Sequence, residues 1–328
     1  MRLFAGIGAW FKKSPEEAEE LEKSLEEKIN KTLARDREKI VPTREQIGLF
    51  GRITGDSNPI HIDPTIAQKY GFTDTPVMGA HIAAFGSEYI NGVNNTLKEE
   101  CKVDYLKLVE QRTRIPKAIY PGQPITWNVE KQRIRGSGER IEEIMLDISG
   151  VVNGEKAVGI EGKLNGGYAS PEIPSLPLSI IMKTYTLGQD ELKILCDCIG
   201  APYNEKMLIP QSFGFAYVPA TLLELLQRET KTKEGINLVM ESKTLGHIHP
   251  GSIQVDAFLK QKRESRGSFI YTIETVIAQR DSNGLLVPKL VGEIKCGTSY
   301  NLNLTPADPL ATEIYAHQYL PPSPPVQS

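Results

Sequence analysis

Asp56 and His61 stand close together in Phe50-Gly51-Arg52-Ile53-Thr54-Gly55-Asp56-Ser57-Asn58-Pro59-Ile60-His61-Ile62-Asp63-Pro64. A carboxylate and an imidazole are side chains able to take a proton and return one near neutral pH. The residues around them stiffen the segment. Gly55 permits a sharp turn that a side chain would resist. Asn58 precedes a proline and is pushed out of helical space, so the chain runs extended there. Asp63 can cap a short helix that has Pro64 at its first position. Turn and cap together fix where Asp56 and His61 point. A lone Asp and a lone His would read more readily as a loop cap and a hydrogen-bonded core histidine.

Other residues that could do chemistry are sparse. Of Cys101, Cys196, Cys198 and Cys296, only Cys196 and Cys198 are close, and Cys-x-Cys without a partner pair is a poor zinc pattern. His247 and His249 would face one side of a strand, but no third ligand follows nearby, so no metal and no cofactor are expected. The formal net charge is −3, which supplies no field to recruit nucleic acid. Walker, zinc-finger and RNA-binding patterns are absent. No apolar run reaches the roughly 20 residues of a membrane-spanning helix, so no stable membrane insertion is expected. The low cysteine count suits a reducing compartment, and the expected location is cytoplasmic.

The elements that must position the pair follow from patterning. Residues 1–40 read as a leader and a charged helix, started by Ser14-Pro15-Glu16-Glu17. Residues 41–165 form a first unit. It holds the Asp56/His61 segment, an apolar helix from about Ile82 to Ile90, and then β-rich runs broken by Pro121-Gly122 and Asn153-Gly154. Residues 166–178, rich in Gly, Pro and Ser, read as a linker. Residues 179–305 repeat the order of the first unit: Ile199-Gly200, a long apolar segment from Ser212 to Gln227, then Pro250-Gly251 and Asn283-Gly284 among strands. That self-similarity predicts a duplicated α+β unit, one sheet wrapping one helix. Residues 306–328 read as a tail that is disordered at its end.

Gly55-Asp56, Asn58-Pro59, Ile60-His61 and Asp63, with Ala67 following, resemble the hydratase-2 motif of the MaoC-like and (R)-specific enoyl-CoA hydratase family. The resemblance implies the hot-dog fold, here as a double hot-dog. It implies Asp56 and His61 as the catalytic pair, holding the water that adds to a trans-2-enoyl thioester to give an (R)-3-hydroxyacyl thioester. It implies Gly79 as the oxyanion donor at a helix start, and Asn58 and Ser87 as substrate-binding residues. The implied substrate is carried on CoA or on an acyl carrier protein. The alternative is a non-catalytic acyl-thioester-binding hot-dog protein or a thioesterase.

Two departures stand out. Met78 occupies a position where the family usually has His, while His81 reads as a core histidine. In the second unit, aligning Gly200 on Gly55 puts Ala201 opposite Asp56, so one active site per chain is expected. Sheet pairing within one chain leaves a monomer or a homodimer of double units.

Overall fold

The computed structural model describes residues 39–101, 106–137, 140–168, 181–203, 236–265 and 268–298, with Lys23, Glu27, Lys31 and Tyr217. The expected tail, most of the linker and the second long helix lie outside these residues, apart from the buried, helical Tyr217. Of the expected N-terminal helix, only Lys23, Glu27 and Lys31 are described, each helical and exposed.

Among the described residues, ten antiparallel strands form one continuous sheet. They are β1 (Lys39–Ile40), β2 (Lys107–Arg114), β3 (Ile125–Ser137), β4 (Arg140–Val152), β5 (Glu155–Asn165), β6 (Ile181–Leu187), β7 (Ile236–Thr244), β8 (Gly251–Ser265), β9 (Ser268–Arg280) and β10 (Leu286–Thr298). Their order is β1-β3-β4-β5-β2-β7-β10-β9-β8-β6. Read outward from the β2–β7 seam, the halves match strand for strand, with β5 and β10, β4 and β9, β3 and β8, and β1 and β6 in equivalent places. This is the duplicated unit expected from the repeat, in the double hot-dog arrangement that the resemblance implied.

Local chemistry sets the strand ends. Asn153 and Gly154 both take positive φ, 51° and 82°, which is the turn geometry that Asn-Gly favours between two strands. At the seam, β2 pairs with β7 from Glu110 against Lys243 to Arg114 against Val239. Past one adjacent buried pair in each, Leu108-Val109 and Ala157-Val158, β2 and β5 bury every second residue, the mark of a sheet with one face in the core.

Four helices complete the described fold: α1 (Arg44–Thr54), α2 (Pro64–Lys69), α3 (Gly79–Cys101) and α4 (Gln189–Ile199). Helix α3 is the long central helix of the first unit. Its Ala80, Ile82, Phe85, Tyr89, Ile90, Val93 and Leu97 are buried in the main core with Trp127, Ile144, Ile148 and Ile160. Gly86 lets it lie against the sheet: a Cβ there would sit 1.9 Å from Cδ1 of Ile160. Helices α1 and α4 are the equivalent helices of the two halves, each ended by a left-handed glycine, Gly55 and Gly200, and they pack on each other. No helix among the described residues is long and apolar enough to cross a membrane.

One local expectation is corrected. His247 and His249 do not lie on a strand but in the connection between β7 and β8. Gly246 and Pro250 bracket them and interrupt the apparent alternation. Their rings are still neighbours, 6.5 Å apart, and His247 Nδ1 lies 2.8 Å from the Tyr168 hydroxyl.

Candidate active site

The segment 55–63 is built almost wholly from its own hydrogen bonds. Helix α1 begins at a capping box: Thr43 Oγ1 accepts from the Gln46 N–H at 3.1 Å, and Gln46 Oε1 accepts from the Thr43 N–H at 3.0 Å. It ends at Gly55, φ 79°, a left-handed turn that only glycine takes cheaply. Thr54 then donates its hydroxyl to the Phe50 carbonyl at 2.8 Å and accepts from the Asp56 N–H at 3.3 Å. The Asn58 N–H donates to Asp56 Oδ1 at 3.3 Å. Asn58 Oδ1 accepts from the Ile60 N–H at 3.3 Å, capping a single 3-10 turn over Pro59–His61. Asp63 accepts from Thr65 and Ile66 N–H groups and starts α2, with Pro64 in its first turn.

The far side is held by residues 75–78, which lie outside any helix or strand. The Val77 N–H donates to the Ile119 carbonyl at 2.7 Å. The Pro76 carbonyl thereby faces His61, and it lies 2.8 Å from Nδ1. A carbonyl can only accept, so Nδ1 carries the proton and Nε2 keeps a lone pair. Asp56, 4% exposed, and His61 line one cleft of about 310 Å³. Its other walls are Ser57, Ile62, Thr75, Met78 and Pro121, and its floor is the α1 face of Arg44, Ile47, Gly48, Gly51 and Arg52.

Burial sets the electrostatics. Loss of solvent pushes the Asp56 carboxyl up from its ordinary range, against the opposing pull of His61 and the Asn58 N–H. Loss of solvent likewise draws His61 below its ordinary value, against the carboxylate and the Pro76 carbonyl. Both directions penalise the charged forms. They favour a pair holding one exchangeable proton between a carboxyl and an imidazole lone pair.

The structure brings Asp56 and His61 together in the cleft lining, which does not include the other expected site residues Gly79, Asn58 and Ser87. Gly79 opens α3 directly after Met78; the first N–H groups of a helix have no partner inside it and carry the positive end of its dipole. Asn58 is buried in the turn as the cap just described. Ser87 is buried on α3, its hydroxyl 2.5 Å from Gln111 Oε1 on β2 and 3.0 Å from the Ala83 carbonyl, and it is not among the residues of the cleft wall. Gln111 in turn donates to Ala83 and Thr113.

Met78 takes the place next to the helix glycine and gives the cleft an apolar wall. Gly51 makes room for it, because a Cβ there would meet Met78 Cε at 2.6 Å and the Asp56 carbonyl at 2.7 Å. His81 is a core histidine. It is stacked between Phe50 and Phe85 at 4.3 and 4.4 Å, and its Nε2 lies 2.8 Å from the Cys198 carbonyl of α4.

The residues that sequence reasoning missed are those of α1. Thr43-Arg44-Glu45-Gln46 is a capping box and Gly55 a stop signal, and together they could have marked the helix.

The family model described as the MaoC like domain matches residues 18–151. A solved structure described as a MaoC-like dehydratase superposes with a TM-score of 0.57 at 11% identity, over 81% of this chain and 98% of that one. A conserved hypothetical protein from Mycobacterium tuberculosis, described as having a double hot-dog fold, gives 0.57 at 8% identity over 80% and 94%. A 12:0-ACP thioesterase from Umbellularia californica gives 0.50 at 7% identity over 80% and 93%. At these identities the solved structures speak to the fold alone. Family match and fold agree: residues 18–151 are similar to the MaoC-like domain, and the described residues have the double hot-dog fold.

Proposed function

We propose that the protein interconverts trans-2-enoyl thioesters and (R)-3-hydroxyacyl thioesters by adding or removing water at Asp56 and His61. The observation that carries this reading is the pairing of a buried carboxyl, pushed toward its protonated form, with an imidazole whose Nδ1–H is pinned by Pro76. In the hydration direction, a water held between the two groups gives a proton to the His61 Nε2 lone pair as its oxygen bonds to C3. The C2–C3 π electrons move toward the thioester carbonyl, and Asp56 delivers its proton to C2. Proton transfer from His61 back to Asp56 restores the starting pair, so one water is added and nothing else is consumed. Charge that develops on the thioester oxygen needs an N–H donor, and the Gly79 N–H at the start of α3 is assigned that task. Asn58 shapes the turn that holds Asp56. Ser87 and Gln111 are assigned to the α3–β2 contact behind the pocket rather than to the reacting carbons.

The second half lacks the pair. Ala201 follows the left-handed Gly200 where Asp56 follows Gly55, and its N–H is bonded to the Cys196 carbonyl at 2.9 Å. One active site per chain follows. The β2–β7 seam supplies sheet pairing within one chain, which suits a monomer or a dimer of double units. Buried thiols at Cys196, Cys198 and Cys296 and a thioester substrate suit the cytoplasm.

The test is turnover of trans-2-enoyl-CoA substrates of several lengths, followed by loss of the enoyl-thioester ultraviolet absorbance and by chiral analysis of the product. Loss of absorbance giving the (R)-3-hydroxy product, abolished in Asp56→Asn and His61→Gln, is the expected result. Release of free thiol instead would make the protein a thioesterase, and binding without turnover would make it a carrier module.

A further inference from the structure

Gly48 is a glycine without a structural reason. It sits inside α1, where glycine costs about 1 kcal/mol relative to alanine. A Cβ at Gly48 would meet nothing within 4 Å, and its φ is not in the left-handed region, since it is absent from the positive-φ glycines. Neither close packing nor backbone strain calls for it. Gly51, by contrast, is demanded by Met78 and the Asp56 carbonyl. Positions 44, 48, 51 and 52 share one helical face, and that face is the floor of the Asp56/His61 cleft. The two glycines leave a bare trough across it, with an arginine at each end.

The two arginines differ. Arg44 is tied down, one guanidinium nitrogen 2.5 Å from Asp74 Oδ2 and the other 2.9 Å from Thr75 Oγ1. Arg52 is exposed and has no carboxylate or hydrogen-bond partner among the described residues. Among the described residues Asp56 is the only acidic one on the cleft wall, and burial moves it toward neutrality. The cleft therefore presents a guanidinium with no ion-pair or hydrogen-bond partner among the described residues, a narrow open floor and an excess of positive charge.

We infer that this α1 face is the seat of the thioester's pantetheine arm, with Gly48 and Gly51 leaving space for the chain and Arg52 pairing with its phosphate. A guanidinium matches phosphate geometry with two parallel hydrogen bonds. The same phosphate is present whether the arm belongs to CoA or to a carrier protein. The inference rests on the thioester reading above, but its test needs no turnover.

The experiment is calorimetric binding of CoA, 4′-phosphopantetheine and pantetheine to the full chain, to Arg52→Gln and to Gly48→Leu. The expected result is that the native protein binds phosphopantetheine about tenfold or more tighter than pantetheine, and that Arg52→Gln binds the two alike. Leucine is a good helix former, so Gly48→Leu is expected to keep or raise Tm while losing affinity for all three ligands. A purely structural glycine would give the opposite pairing. CoA and phosphopantetheine binding alike would mark the shared arm as the whole ligand, whereas tighter CoA would add contacts to its nucleotide. Equal affinity for phosphopantetheine and pantetheine in the native protein, unchanged preference in Arg52→Gln, or no binding of any ligand would each overturn the inference. Phosphate-dependent binding without enoyl turnover would instead count against the proposed reaction alone.

Discussion

Removing the His81 imidazole should flatten the acid side of the stability curve. His81 is fully buried between two phenylalanine rings, and loss of solvent draws its pKa down to about 4 from 6.5. The Cys198 carbonyl fixes the proton on Nε2, while Nδ1 has no hydrogen-bond partner among the described residues, so none of these is placed to welcome a second proton. Between pH 6.5 and 4 the unfolded chain takes up a proton at this site that the folded chain refuses. Stability therefore falls as pH falls through that window and is fully retained above it. A difference of about 2.5 units at 1.36 kcal/mol each makes the total loss roughly 3 kcal/mol, with about 2 kcal/mol gone by pH 5.

In His81→Phe the stacking partners remain aromatic. The Cys198 carbonyl loses its donor, which should cost about 1–3 kcal/mol at pH 7.5. The assay is urea unfolding of both proteins from pH 4 to 8. Other titrating groups are common to both and cancel in the difference. The variant should start less stable and lose roughly 3 kcal/mol less than the native protein on going to pH 4. Parallel curves would refute the reasoning, because they would mean that His81 is protonated in the folded state or reached by water.

Three further outcomes follow from the site. Asp56→Asn should lower kcat by about 10²–10⁴ yet leave the protein as stable or more stable at pH 7, because a carboxyl whose folded pKa is raised destabilises the fold once ionised; a thermal scan beside the rate assay checks both. Gly51→Ala should destabilise by about 1–3 kcal/mol and reduce turnover, since its methyl would meet the Asp56 carbonyl at 2.7 Å, and chemical unfolding together with initial rates measures it. On the proposed mechanism kcat/KM should be bell-shaped in pH, because a pair working with one exchangeable proton would lose activity on gaining a second or losing the first; the two limbs would belong to the pair as a whole.

Features set by neighbouring residues were legible in the sequence. Asn58-Pro59, Asp63-Pro64 and Asn153-Gly154 dictate their own conformations, so the extended step, the helix cap and the turn could be placed before any tertiary contact was known. The repeat was legible for the same reason, because Gly55 and Gly200, and Gly154 and Gly284, mark equivalent turns. What escaped depends on distance along the chain. The hydrogen bond of His81 reaches Cys198, 117 residues away, and Ser87 finds Gln111 across 24, so neither partner could be read locally. Helix α1 escaped for another reason: Gly48 and Gly51, which both line the cleft, weaken its apolar pattern and its helix propensity. Leu245-Gly246-His247-Ile248-His249 imitated a strand, but Gly246 and Pro250 broke it.

The most direct measurement of the central claim is turnover of a trans-2-enoyl thioester in ¹⁸O-labelled water, read by mass spectrometry. Addition at Asp56 and His61 predicts one ¹⁸O on C3 of an intact 3-hydroxyacyl thioester, and no label in the same time with Asp56→Asn. Label appearing only in the carboxylate of a released acid, or equally in the variant, would contradict it.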